Sequence, residues 1–238
     1  MKIMSNDLPI RVVSATRLSR EQFFSSASLG KSIEWAMEIS NVEIKLYTEN
    51  STGLSTLYNN IIDESIGNPA ILVFAHDDVL ICDFFWAERI RDGLEKFDIV
   101  GVVGNVRRVP KQPSWAFGNL VNDQFTWDAP SNLSGACAHG STLPPLGGLY
   151  TFGPVWQECK LLDGLLLAVK SDSLINSNIR FDENFRYHFY DLDFCRQAEM
   201  KNLKMGTIPL SVCHESQGNF FSEEWANSYQ KYLNKWKD

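Results

Sequence analysis

The chain has 238 residues, 44% of them hydrophobic and 21% charged, the balance of a soluble globular domain large enough to bury a sizeable core. Its formal net charge of −7 argues against a nucleic-acid binder, which needs a basic face. No run of 18 apolar residues is present, so no segment is expected to span a bilayer, and the N-terminus lacks the apolar centre of a signal peptide. The five cysteines (82, 137, 159, 195 and 213) are odd in number and form no CxxC pair. That pattern fits reduced thiols and a cytoplasmic location better than a disulfide framework.

Taken in chain order, β-branched apolar runs at 10–15 (IRVVSA), 42–47 (VEIKLY), 70–75 (AILVFA) and 98–104 (DIVGVVG) predict strands. Between them, 30–39, 54–66 and 83–96 predict helices. The clearest is 54–66, where Leu54, Leu57, Tyr58, Ile61 and Ile62 fall on one continuous face. Strand alternating with helix implies crossover units and a mostly parallel central sheet with helices on both faces, an α/β fold. Residues 104–154 hold six of the nine prolines and seven of the fifteen glycines, with tryptophans at 115 and 127. That composition predicts a partly ordered binding surface rather than regular elements. Order is expected to resume with a strand and turn or helix at 161–174, a helix at 191–203, a strand at 205–216 and an aromatic helix at 221–236. One domain accounts for the whole, with a first half at 1–104, a second at 105–218 and a terminal helix at 219–238.

The stretch ILVFAHDDVL, 71–80, ends a buried strand by crowding His76, Asp77 and Asp78 together. Adjacent carboxylates repel unless a cation lies between them. Hard divalent ions such as Mg²⁺ or Mn²⁺ prefer carboxylate oxygens and are often shared with substrate phosphates. The alternative is that Asp77 or Asp78 only caps the helix that follows. Zinc held by Cys137 with His139, or by Cys213 with His214, is disfavoured because neither pair is repeated at zinc-site spacing.

The pieces around this motif resemble the inverting GT-A-fold glycosyltransferases of the large family-two type, in a bacterial branch. They run in family order: SATR (14–17), Asn50-Ser51 and Gly53 before a helix that carries Asn59, His76-x-Asp78, DGLLLAV (163–169), YDLDFC (190–195) and His214. The resemblance covers about residues 10–218 and implies a GT-A-like nucleotide-binding fold that moves a sugar from a UDP- or dTDP-linked donor. Its implied acceptor is a glycan, lipid-linked or protein-linked, in surface polysaccharide or glycan assembly.

Position by position, the resemblance implies these roles. Asp78 and His214 would be ligands of Mn²⁺ or Mg²⁺, with His76 beside them where the family has an acid. Asp77 would hold ribose or metal. Ser14, Thr16, Arg17, Glu49, Asn50 and Asn59 would meet the donor, although Asn50 equally fits an Asx turn and Arg17 a plain surface site. Asp191 would be the general base, preceded by Tyr190 where the family has Glu. A helix start favours an ionised Asp there, whereas Asp193 reads as a capping residue. Asp163 and Gly164 would lie on the acceptor side, and Trp156, with Trp115 and Trp127, could stack on sugar rings or be core. The departures at 76 and 190 motivate an alternative, a non-catalytic nucleotide-sugar- or glycan-binding module of the same fold. The tail helix lacks a basic face, so it is expected to pack on its own domain or a second subunit more readily than on a membrane.

Overall fold

In a computed structural model, residues 8–39, 41–122, 124–140, 142, 145–216, 218 and 220–238 are described. The strands of the first half are β1 (Ile10–Ala15), β2 (Val42–Tyr47), β3 (Ile71–Ala75), β4 (Val79–Ile81), β5 (Ile99–Gly101) and β6 (Val103–Asn105). The rest are β7 (Phe117–Val121), β8 (Gln124–Trp127), β9 (Leu133–His139), β10 (Leu149–Gly153), β11 (Glu158–Cys159), β12 (Leu161–Leu162), β13 (Leu166–Lys170), β14 (Met205–Thr207) and β15 (Val212–His214). The helices are α1 (Arg20–Ser26), α2 (Ser28–Ile39), α3 (Leu54–Glu64), α4 (Trp86–Leu94), α5 (Ser171–Ser177), α6 (Tyr190–Met200) and α7 (Glu223–Trp236).

Seven strands form the central sheet in the order β11-β14-β5-β13-β3-β1-β2. β1, β3 and β13 are apolar almost throughout and buried, as strands covered on both faces must be. Each fully buried Leu, Ile or Phe there contributes roughly 1.5–3 kcal/mol. The expected mostly parallel sheet is in fact mixed, because β13 runs against both of its neighbours, β3 and β5. Three of its six pairings are parallel and three antiparallel. A continuous apolar run announces a buried strand but not its direction, which is why β13 was not distinguishable beforehand.

The run 98–104 is likewise two strands, not one. β5 belongs to the central sheet, while β6 enters a second sheet ordered β12-β6-β9-β15-β4, with β10 paired to β9. The strand expected over 205–216 splits the same way, β14 in the first sheet and β15 in the second. Residues 104–154, expected to be irregular, contribute β7 to β10. Among the described residues no helix is long and apolar enough to cross a membrane.

The tail helix α7 packs on the domain itself. Phe189, Trp225, Tyr229 and Tyr232 form one aromatic cluster, and Arg196 bonds Asp238 at 2.5 Å.

Candidate active site

Two ladders bring the distant motif pieces together. At the end of β3, the His76 N–H donates to the Leu165 carbonyl (3.1 Å), so the 163–165 turn lies beside the histidine. Asp78 leads into β4, whose antiparallel register with β15 sets Val79 opposite His214. The Glu215 N–H donates to the Asp78 carbonyl (3.1 Å) and closes that corner. Helix α6 then delivers Tyr190 and Asp191 from the far side.

His76, Asp78 and His214 place ligand atoms within 4.8 Å of one another. His214 Nε2 is 3.3 Å and His76 Nδ1 3.9 Å from the same oxygen, Asp78 Oδ1. That oxygen is buried with no hydrogen bond of strict geometry, and its close approach to the His214 nitrogen is electrostatic in the first place. An ion with bonds of about 2.1 Å sets its ligand atoms roughly 3.0–3.4 Å apart, so the trio fits a cation with little adjustment. Burial pushes the Asp78 carboxyl up, but His214 and His76 outweigh it and leave it well below the usual carboxylate range. Burial lowers His76, only partly offset by Asp78, which favours the neutral ring. His214 is raised, because Asp78 outweighs its burial.

Asp191 sits in the first turn of α6. Phe189, the residue before the helix, holds φ at 64°, a left-handed conformation uncommon without glycine, and this turns the helix start toward the cleft. The Gly164 N–H donates to Asp191 Oδ2 at 3.0 Å. A Cβ at Gly164 would overlap the Tyr190 hydroxyl and crowd Asp191, so only glycine lets the turn come so close. Gly164 therefore touches Tyr190 and Asp191. Asp163 accepts from Trp115 Nε1 and, at 2.8 Å, from the Leu165 N–H. Removal from water, then the Asp163 charge, raises Asp191 to about 7. The helix dipole does not overcome that, so the ionised Asp191 expected from its helix position is instead a carboxyl that titrates near neutrality.

His76, His214, Asp163 and Asp191 line one open cavity of about 490 Å³. Its remaining wall is aromatic, with Trp115, Trp127, Tyr150 and Phe152 on one side and Phe189 and Trp225 on the other. Trp127 and Tyr150 are more than half exposed at its mouth, 58% and 51%. His139, which drew notice only beside Cys137, also lines the cavity, with its Nδ1 buried and without a hydrogen-bond partner. Its register partner in the parallel β9–β15 pair is His214, a pairing that no local motif announces. The cysteines are all free, and the Cys137 and Cys213 thiols donate to the carbonyls of Ala138 and Gly140.

Of the remaining residues expected to meet the donor, Ser14 lies in β1 and Asn59 in α3, while Thr16, Arg17, Glu49, Asn50 and Asp77 follow the carboxyl ends of β1, β2 and β3, adjacent parallel strands, where open sheets bind ligands. Thr16 is buried and joins the second loop through its carbonyl, which accepts from the Asn50 N–H (2.8 Å). Ser14 is buried with an unpartnered hydroxyl, and Arg17 is exposed. Burial raises Asp77 while Thr16 opposes it. Glu49 stands at φ 50°. Asn50 spends its side chain on an Asx turn with Thr52. Asn59 spends its own on both backbone groups of Phe181. Trp156 is absent from the cavity wall and stacks under Lys96 at 3.9 Å, so the structure does not bring it to Asp191.

Neither a protein-family profile nor a curated protein matches the sequence. Among solved structures the fold is similar to GalNAc-T7, determined with UDP, GalNAc and Mn²⁺, at a TM-score of 0.50 and 11% identity over 97% of this chain. The match takes in 50% of that chain, so this protein spans about half its length. A197 from STIV is also similar, at a TM-score of 0.47 and 9% identity, over 91% of this chain and 87% of that one. The chain thus has a mixed α/β fold similar to that of GalNAc-T7, and it carries a candidate metal site in His76, Asp78 and His214.

Proposed function

We propose that the protein is a metal-dependent glycosyltransferase that moves a hexosyl group from a nucleotide-diphospho-sugar, UDP- or dTDP-linked, to an acceptor hydroxyl with inversion. The observation that carries this reading is that His76 and His214, clustered with Asp78, line the same cavity as Asp191, a carboxyl titrating near 7, in a GT-A-like fold. His76, Asp78 and His214 would hold the ion, and a mixed imidazole and carboxylate set suits Mn²⁺ better than Mg²⁺. When bound, such an ion neutralises charge growing on a diphosphate leaving group.

The chain's own residues do the rest. Asp191 accepts the acceptor's proton as its oxygen forms the new bond to the anomeric carbon, and the bond to diphosphate breaks with its electron pair. A base near neutrality is close to the optimum for such transfer, worth about 10²–10⁴ in rate. The Gly164 N–H orients the carboxylate, and Asp163, held by Trp115, keeps its proton affinity high. Thr16 and Asp77 would meet the donor, and Asn50 would hold the loop beside them. The exposed Trp127 and Tyr150 give the cavity an aromatic lip that favours a lipid-linked or glycan acceptor, presented at the inner face of a membrane.

Calorimetry with UDP and dTDP, each with and without Mn²⁺, tests the donor site, and the expected outcome is nucleotide binding that requires the ion. Binding without any release of nucleoside diphosphate from a range of nucleotide-sugars would instead favour the non-catalytic module.

A further inference from the structure

We propose that Tyr190 is a positioning residue that locks His76 in the Nε2–H form, so that Nδ1 is the atom offered to the cation. This rests on the metal reading above and adds to it a specific atom and a specific partner.

A tyrosine hydroxyl has one hydrogen to give. The Tyr190 hydroxyl donates to the Gly164 carbonyl at 3.0 Å, and His76 Nε2 lies 2.6 Å from the same oxygen. With its hydrogen committed to Gly164, Tyr190 can only accept from the histidine, so Nε2 carries the proton and Nδ1 a lone pair. That lone pair lies 3.9 Å from Asp78 Oδ1, itself buried and without a hydrogen bond. Two electron-rich atoms facing each other in a confined corner are what a cation relieves.

The opposite tautomer fares worse. It would take the Tyr190 hydrogen away from the Gly164 carbonyl and point Nδ1–H at Asp78 over 3.9 Å, too far for a hydrogen bond. The tyrosine cannot swing to compensate. It is 2% exposed, its ring is set among Tyr58 and Phe181, and its backbone is fixed by the turn at Phe189.

The two places where the sequence departs from the acidic residues of the family pattern, 76 and 190, are therefore the two ends of one hydrogen bond. A histidine ligand needs its second nitrogen held, and the tyrosine holds it, so the two departures work as a pair.

The test is the substitution Tyr190→Phe, which keeps the ring and removes the hydroxyl, with two readouts besides activity. Long-range ¹H–¹⁵N NMR of the metal-free protein should show His76 as the Nε2–H tautomer in wild type and as a mixture in Y190F. Calorimetric Mn²⁺ affinity should weaken by about 10–100-fold in Y190F, and adding Y190F to His76→Ala should cost little more than His76→Ala alone. An Nδ1–H tautomer in wild type overturns the proposal, as does unchanged Mn²⁺ affinity in Y190F or a double variant whose losses add. If Y190F does not fold, the wild-type spectrum decides by itself. Unchanged Mn²⁺ affinity in His214→Ala would instead sink the metal site, while the tautomer measurement would still report on Tyr190.

Discussion

Asp191 and Asp193 stand two residues apart on α6, and burial pushes the proton affinity of both upward. Around Asp191 the neighbours are another carboxylate and backbone N–H groups, that of Gly164 at 3.0 Å, which do not offset the loss of water. Around Asp193 they are Lys235 at 2.7 Å, Gln197 Nε2 at 2.7 Å and Trp236 Nε1 at 2.9 Å. Lys235 and Trp236 thereby tie α7 to the body of the domain, and Lys235 reaches Asp182 as well. One face of the helix leaves its carboxyl uncompensated beside a cavity, and the other saturates it under a terminal helix. A buried acid thus reads as reactive or as scaffolding according to what surrounds its oxygens, not according to its burial.

The most drastic way to test that contrast is Asp191→Asn. Sugar transfer should fall by about 10²–10⁴, while calorimetric UDP affinity in Mn²⁺ stays as in wild type, and full activity would remove Asp191 as the base. Asp193→Ala should do the reverse. Leaving the Trp236 and Gln197 donors unpaired costs about 2–4 kcal/mol, seen as a melting point lower by at least ~5 °C, with kcat little changed below it. A stable but inactive Asp193→Ala would erase the distinction.

A pH series sharpens it further. The folded value of Asp191, about 7, lies above its ordinary 3.8, so the unfolded chain ionises first as pH rises. Stability therefore falls between those two values and levels off above them. Asp191→Asn abolishes that slope, so its melting point relative to wild type should climb from pH 5 to pH 8. Wild-type kcat/KM should rise over the same range with a midpoint near 7. The smallest expected effect is at the cleft mouth. Trp127→Ala should raise the acceptor KM several-fold, in line with roughly 1 kcal/mol of aromatic contact, and leave donor affinity alone.

How much of this was legible follows from where the information lies. β1 and β2 occupy the residues predicted, 10–15 and 42–47, because their apolar runs are bounded sharply by polar turns. α3 is visible from its one-sided apolar face. The capping box of α1, Ser19 with Gln22, was present in the sequence but had no long apolar stripe behind it. β7 and β8 were invisible for a different reason. Their side chains are exposed or half-exposed, without clean alternation, and the hairpin is held by contacts such as the Phe117–Phe125 stack at 4.5 Å. In the site, HDD at a strand end could be read locally. The meeting of 76 with 190, or of 139 with 214, depends on pairings between strands and helices far apart in the chain.

The reversed strand β13 bears on how such a protein can change length. Its ladder with β3 sets Leu166 opposite Ala75 and, with the His76 N–H bond to the Leu165 carbonyl, spaces the 163–165 turn from His76. Inserting one residue into either strand would slide the turn by about 3.3 Å and swap inward and outward side chains beyond it. The β7–β8 hairpin pairs only with itself among the described strands, so it can grow or shrink without that penalty. Insertions and deletions are therefore tolerated around the rim, where they would retune which acceptor enters, and are forbidden at the floor.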